Sequence, residues 1–317
     1  MALKEIGGYI ELDRYELPML HEGAIALNCG RNCLSYLIRA HHIKKILLPK
    51  LLCDSVSDVC EKEQVAVRYY SINAEFEPLN INLESEEWLY IVNYYGQFHT
   101  ERLQKLVLDY QRIIIDQTQA YFQMPIEGTD TIYCCRKFFG VTDGAFLYTN
   151  TFLDEAIPQD ESFNRMKFLF GRFERGATEF YKDYVLNEEI FANEPIKEMS
   201  KITQNMLHGI DYNKVKMKRT QNFEYLHKRL QKINNLHLVI PEGAFMYPLY
   251  IPNGQVIRKL MQKENIYIPI LWPNVLKQCK KNELEYDMAC NILPLPVDQR
   301  YSYPEMDVMA TCIEQNL

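Results

Sequence analysis

The sequence has no surplus of positive charge: 35 lysines and arginines stand against 42 aspartates and glutamates, a formal balance of −7. That leaves no broad cationic surface for the phosphates of a nucleic acid, and no nucleic-acid partner is expected. No apolar run approaches the roughly 18 residues that a membrane helix needs, so no membrane span is expected either. The opening residues MALKEIGGYIELDRYELP put charges where a secretory leader needs an unbroken apolar segment, which predicts a cytoplasmic location. The nine cysteines are an odd number spread from Cys29 to Cys312, unlike the dense pattern of a small secreted scaffold, and read as reduced thiols. G-x-G-x-x-G, the P-loop, G-x-S-x-G and H-E-x-x-H are all missing, which weighs against dinucleotide, nucleoside-triphosphate, serine-hydrolase and zinc-protease chemistry.

What is present is a 317-residue chain, 47% hydrophobic, long enough for a large core and two domains. The first half alternates short apolar runs with helix-like stretches. Strands are expected at Lys45 to Leu48, Val65 to Tyr70, Trp88 to Val92, Arg112 to Ile115, Thr131 to Cys135 and Ala145 to Thr149. Several are continuously apolar, as strands covered on both faces of a largely parallel sheet are. Helices fit between them at Asn32 to Ala40, Ser55 to Lys62 and Glu101 to Tyr110. From about Asp160 to Lys232 long helices rich in charge and aromatics are expected to bridge two domains. Beyond them lie strand candidates at Leu236 to Ile240 and Met246 to Ile251, a helix at Gln255 to Glu264 and the proline-rich Leu293 to Pro296. The fold class is α/β, divided into an N-terminal arm (1–22), a large domain (23–205) and a smaller α+β domain (206–317).

The segment from Arg112 to Thr149 carries the chemistry. An apolar run leads into Asp116, placing a carboxylate at the carboxyl end of a buried strand, where open α/β sheets bind ligands. A helix N-cap explains Asp116 equally well, with Gln119 completing a capping box or facing the same pocket. Lys137 falls between two strand candidates, ahead of the Asp143-Gly144 turn, and alone would be a solvated loop lysine. Together the two residues match the needs of pyridoxal 5′-phosphate (PLP): an amine that forms a Schiff base and shuttles protons, and a carboxylate that keeps the pyridine nitrogen protonated. The cofactor phosphate needs a helix N-terminus, and Leu27 to Leu34 reads as an extended segment breaking at Gly30 into a helix, so Gly30, Arg31 and Asn32 are phosphate candidates. An ordinary turn at Gly30 is the alternative. Cys29, Cys33, His41 and His42 could start a metal reading, but the Cys-x-x-x-Cys spacing has no second paired knuckle, and cysteines four apart on a helix read as small buried side chains, so no metal is expected.

These residues resemble the DegT/DnrJ/StrS-type PLP-dependent sugar aminotransferases, which have the aspartate aminotransferase-like fold (fold type I). NCGRNCLSYLI is similar to that family's phosphate-binding helix start and LLPKLLCDSV to its next strand and turn. IIIDQTQAYF resembles its aspartate motif, and RKFFGVTDGAFL its Schiff-base lysine followed by a glycine turn. By position the resemblance gives Asp116 to the pyridine nitrogen, Gln119 to the ring hydroxyl and Lys137 to the Schiff base. It sets Asn93, Tyr94, Tyr95 and Gly96 where the family has a histidine-bearing strand end, and extends weakly through Arg219 to Leu230 and the ILPLP at Leu293. The sequence departs from the family at three cofactor positions. Ile132 replaces a phosphate-binding serine, Arg31 a threonine, and Cys53 the aromatic that stacks on the ring, with Tyr94 and Tyr95 as substitutes. A glycine-tyrosine-asparagine segment lent to the neighbouring subunit has no counterpart.

The resemblance implies a homodimer that aminates its cofactor from an amino donor, expected to be glutamate, and passes the nitrogen to a nucleotide-linked keto sugar in glycan biosynthesis. Two alternatives stay open: a PLP enzyme of elimination or dehydration type, and a degenerate homologue that binds sugar or protein without turnover.

Overall fold

The continuously apolar runs form strands buried on both faces, which the computed structural model, describing residues 6–317, shows as the spine of the molecule. Ile113, Ile114 and Ile115 are all within 4% of complete burial, each stabilising the fold by about 1.5–3 kcal/mol. The elements run β1 (Ile25–Leu27), α1 (Gly30–Ala40), β2 (Lys45–Pro49), α2 (Asp54–Lys62), β3 (Ala66–Tyr70), β4 (Glu87–Val92), α3 (Thr100–Asp109), β5 (Ile113–Asp116), β6 (Asp130–Cys134) and β7 (Ala145–Tyr148). They build one seven-stranded sheet in the order β1-β7-β6-β5-β4-β2-β3. The strands from β6 to β3 are parallel, while β7 runs antiparallel to both of its neighbours. Strand order reverses between β2 and β4, and the carboxyl ends of β2, β4, β5 and β6 open on one edge, the usual ligand edge of such sheets. The α/β class and mostly parallel sheet agree with the sequence reading, with β2 to β7 within a residue or two of their expected limits and β1 an unexpected edge strand.

The following stretch holds α4 (Lys167–Glu174), α5 (Tyr181–Ile190), α6 (Lys201–Leu207) and α7 (Tyr212–Leu230). The expected long helices are thus mostly short: Gly176 at φ +157° interrupts the first pair and Pro195 precedes α6, leaving only α7 at 19 residues. Ser200 caps α6 by accepting from the Thr203 N–H, and Asp211 caps α7 by accepting from that of Lys214. The C-terminal part adds β8 (Met246–Tyr250), α8 (Gly254–Lys263), α9 (Val275–Gln278), α10 (Leu284–Asn291), β9 (Ile292–Pro296) and α11 (Tyr303–Glu314).

β8 and β9 pair antiparallel with Pro248 opposite Pro294 and Met246 opposite Pro296. All three prolines therefore fall in the same alternate register class. Outward groups in that class bond elsewhere: Asn234 takes the Pro248 carbonyl and the Tyr250 N–H, and Arg258 donates to the Ile292 carbonyl. A missing proline N–H at these positions costs the ladder nothing, which is how a proline-rich segment becomes a strand.

Two apolar cores result. The larger surrounds the seven-stranded sheet, and the smaller joins α7, α8, α11, β8 and β9 through Phe223, Leu226, Tyr247, Leu295 and Met306. Trp272, Val275 and Met288 from the C-terminal part pack into the larger core. Position 205 lies inside α6, so we propose that the domain division falls in the turn between α6 and α7. Of the 1–22 arm, residues 1–5 lie outside the described residues; the remainder is tied to α6 by Asn205, which accepts from the Tyr15 N–H and donates to the Asp13 carbonyl. Among the described residues no helix is long and apolar enough to cross a membrane.

The expected strand at Leu236 to Ile240 does not form a ladder. The side-chain amide of Gln97 stands in for a partner strand, accepting from the Val239 N–H at 2.9 Å and donating to its carbonyl at 3.2 Å. Gln97→Ala is therefore expected to lower stability by about 1–3 kcal/mol, the usual loss when partly buried backbone groups are left unpaired. Urea unfolding of the variant should show an unchanged slope and an earlier midpoint.

Candidate functional site

Asp116 ends β5 and is 5% exposed. Its two oxygens are held separately: Oδ1 accepts from the Thr118 N–H at 2.8 Å and Oδ2 from the Tyr90 hydroxyl at 2.9 Å. The first bond is the local turn that an N-cap reading predicts, but no helix follows Asp116. Burial pushes its pKa above the ordinary carboxylate range, opposed by the bonds from Thr118 and Tyr90 and by the positive charge of Lys137. A desolvated carboxylate of this kind favours a cation placed against it.

Lys137 closes the short 3₁₀ turn Cys135–Lys137 that follows β6, and its side chain is exposed. The turn is anchored from beneath. Cys135 N–H donates to the Gly144 carbonyl at 3.1 Å, and Gly144 N–H to the Asn28 carbonyl at 2.6 Å. Gly144 sits at φ +111°, and a Cβ there would come within 3.0 Å of Thr203 and 3.3 Å of Cys135, so only glycine fits.

α1 starts at Gly30 without a side-chain cap, its N-cap Cys29 being extended. Gly30 lies over Thr118 and Ile132, each 3.9 Å from where its Cβ would be, so the uncapped helix start stands beside the Asp116 turn. First-turn N–H groups of this kind hold anions well. Gln119, 8% exposed, accepts from the Tyr95 N–H at 2.9 Å, and its amide N–H groups have no acceptor among the described residues. Asp116, Lys137, Gly30 and Gln119 are the sequence candidates gathered at this sheet edge.

The remaining candidates are engaged elsewhere. Asn32 donates to the carbonyls of Pro195 at 2.6 Å and Glu194 at 3.3 Å and to Asn28 Oδ1 at 2.8 Å, so its side chain locks α1 to the chain ahead of α6. Arg31 lines a separate cleft with Ser55, Asp58 and Lys62 of α2, which contains neither Asp116 nor Lys137. Asn93 donates to Gln117 and Gln123 and accepts from the Phe98 N–H, closing the turn after β4. Tyr94 turns into the core, its hydroxyl on the Leu51 carbonyl and its ring against Phe76 and Trp272. Tyr95, at φ +54°, likewise packs inward against Phe245 and Trp272. Cys53 is the half-buried N-cap of α2, its sulfur accepting from the Ser55 hydroxyl at 3.1 Å. All nine thiols are free; burial raises Cys29 to about 11 and Cys60 to about 12.

Sequence reasoning missed Tyr90 and Thr118. The signal for Tyr90 was pairing: Val92 of β4 is registered with Asp116, and Tyr90 shares its face of the strand two residues back.

The raised pKa of Asp116 fixes the sign of a stability effect. A carboxyl raised on folding contributes most below its unfolded pKa and loses that contribution as pH rises through its folded pKa. Asp116→Asn in cofactor-free protein should therefore raise the melting temperature near neutral pH, with the gain shrinking as pH falls into the ordinary carboxylate range. A melting series across pH checks this, a constant difference being the contrary result.

No family model matches the sequence, and no curated protein matches it. Solved structures do. Sugar aminotransferase CalS13 from Micromonospora echinospora superposes with a TM-score of 0.63 at 14% identity, over 93% of this chain and 87% of that one. An aminotransferase from Psychrobacter cryohalolentis gives 0.65 at 12% identity, over 92% and 86%. The PLP form of the putative sugar aminotransferase Spr1654 from Streptococcus pneumoniae gives 0.63 at 13%, over 93% and 88%. Across nearly its whole length, this chain has the fold of the sugar aminotransferases.

Proposed function

We propose that the protein is a PLP-dependent aminotransferase that moves an amino group, with glutamate as donor, onto a nucleotide-linked keto sugar of a glycan pathway. The observation that carries this reading is the Asp116 carboxylate, desolvated at the end of β5 and within electrostatic reach of the Lys137 amine. The residues fit the cofactor by their chemistry: a buried carboxylate for a pyridinium, the Gln119 amide N–H groups for a ring oxygen, and the uncapped start of α1 at Gly30 for a phosphate. Fold-level likeness to PLP-bearing proteins supports the same choice.

When bound, PLP supplies an aldehyde that takes up amines and a ring that draws electron density from the attached carbon. Asp116 would keep a proton on the ring nitrogen, its own ionised state stabilised by the Thr118 N–H and the Tyr90 hydroxyl. Lys137 would hold the cofactor through its Nζ, and its amine would serve as general base and acid for the substrate proton. The backbone N–H groups of the uncapped first turn at Gly30 would hold the phosphate. Phe163, Phe170, Phe173 and Tyr181 expose 60% or more of their surface on and around α4 and α5. We assign that apolar face to the second subunit of a homodimer.

A second reading, a chain that keeps the fold and binds without turnover, draws on Cys53 at the ring-stacking position and on the engagement of Asn32 away from the site. Purified protein given PLP decides between them. The proposal expects a visible absorbance band, a pyridoxyl group on Lys137 after borohydride reduction, loss of both in Lys137→Ala, and loss of the band on adding glutamate. A protein that stays colourless overturns it and favours the second reading.

A further inference from the structure

Arg219, on α7, is 1% exposed and, among the described residues, its guanidinium makes no ion pair. Its guanidinium is divided among neutral acceptors: Nη2 donates to the Phe138 carbonyl at 3.0 Å, Nη1 to the Ala244 carbonyl at 2.9 Å and the Phe245 carbonyl at 3.3 Å, and Nε to Gln299 Oε1 at 2.8 Å. Gln299 returns to the same place, its Nε2 donating to the Phe138 carbonyl at 2.9 Å. The guanidinium also lies 4.6 Å over the Phe138 ring. Phe138 is the residue after Lys137, and its N–H closes the lysine's turn on the Cys135 carbonyl at 2.9 Å.

We propose that Arg219, assisted by Gln299, is a positioning residue for Lys137, gripping the backbone next to the lysine from α7 and the strand-end segment after β9. The inference rests on the functional reading above for the role of Lys137, while the grip itself concerns this chain alone.

Energetics distinguish the arrangement from ordinary packing. A buried guanidinium carries a desolvation penalty of several kcal/mol, and apolar residues of similar volume fill such sites with equal or better stability. Burial lowers the Arg219 pKa to about 10, with Asp298 as a partly compensating charge. The Phe138 carbonyl receives two of the available donors although one satisfies a buried acceptor. The guanidinium and the Gln299 amide meet at the carbonyl of Phe138, the residue after Lys137. Because α7 belongs to the smaller core, the lysine's backbone is set from that core as well as from its own sheet.

Full-length Arg219→Met, Arg219→Lys and Gln299→Ala test this with two measurements. In cofactor-free protein, acetylation of Lys137 by acetic anhydride is read by peptide mass spectrometry against exposed Lys167 as internal reference. PLP titration is then followed by visible absorbance across pH. Arg219→Met should change the Lys137-to-Lys167 ratio severalfold and weaken PLP binding about tenfold, the scale of a lost charged hydrogen bond. Gln299→Ala should act in the same direction and less, and Arg219→Lys should recover part of the effect. A merely structural arginine would lower the melting temperature yet leave the ratio and the pH midpoint of the absorbance band unmoved, overturning the proposal. If Arg219→Met does not fold, Gln299→Ala decides by the same criteria. Should wild type ignore PLP while the variants shift the ratio, the functional reading fails and the grip on Lys137 stands.

Discussion

Burying a carboxylate at the end of β5 is the constraint around which the sheet edge is organised. Removing such a group from water costs several kcal/mol even after relaxation. Two hydrogen bonds to the charged form, each contributing about 1.5–3 kcal/mol, offset much of that. Both require the neighbours that Asp116 has. Thr118 reaches Oδ1 because the chain turns at once after the strand, and Tyr90 reaches Oδ2 because β4 lies alongside in parallel register. Tyr90 is held in turn, its carbonyl accepting from the Tyr70 hydroxyl of β3, so the support for the carboxylate crosses the sheet behind β2. What the bonds leave uncompensated is raised pKa, the condition under which a cationic ligand gains most from binding.

The same edge shows that a residue can serve a site without facing it. Asn32 fastens α1 to the backbone at Pro195, and Asn28, its bonding partner, gives its own carbonyl to Gly144, which in turn holds the Cys135 turn. The helix start at Gly30 and the lysine turn are thereby fixed to one another through Asn28. A substitution at Asn32 would act on the proposed phosphate site through the orientation of α1, although its side chain points away.

Local pattern made the sheet legible because β2, β4, β5 and β6 are buried on both faces and carry their apolar runs without interruption. It made Asp116 and Lys137 legible for the same reason, since each follows such a run. Pattern failed where the deciding partner was distant in sequence. Leu236 to Ile240 has strand composition, yet its ladder position is filled by Gln97, a side chain 142 residues from Val239 that no periodicity connects. Tyr94 reads as a ring-facing aromatic by position alone, but the Leu51 carbonyl and Trp272 draw it into the core. The proline-rich Leu293 to Pro296 had strand status only through the register that sets Pro294 against Pro248.

Two buried charges, Asp116 and Arg219, stand beside the lysine turn: Asp116 ends β5, the strand paired with β6, and Arg219 donates to the carbonyl of Phe138, the residue after Lys137. Each is expensive where it stands, and an apolar or neutral replacement would favour the cofactor-free fold. Packing therefore does not account for either. A common account is available if the lysine amine must be held at a fixed place relative to an ionised carboxylate, because position can then be traded against stability. Under that account the smaller core is more than a cover: through Arg219 and Gln299 it determines where the lysine's backbone lies, and any displacement of α7 against the large sheet would be felt first at Phe138 and next at Lys137.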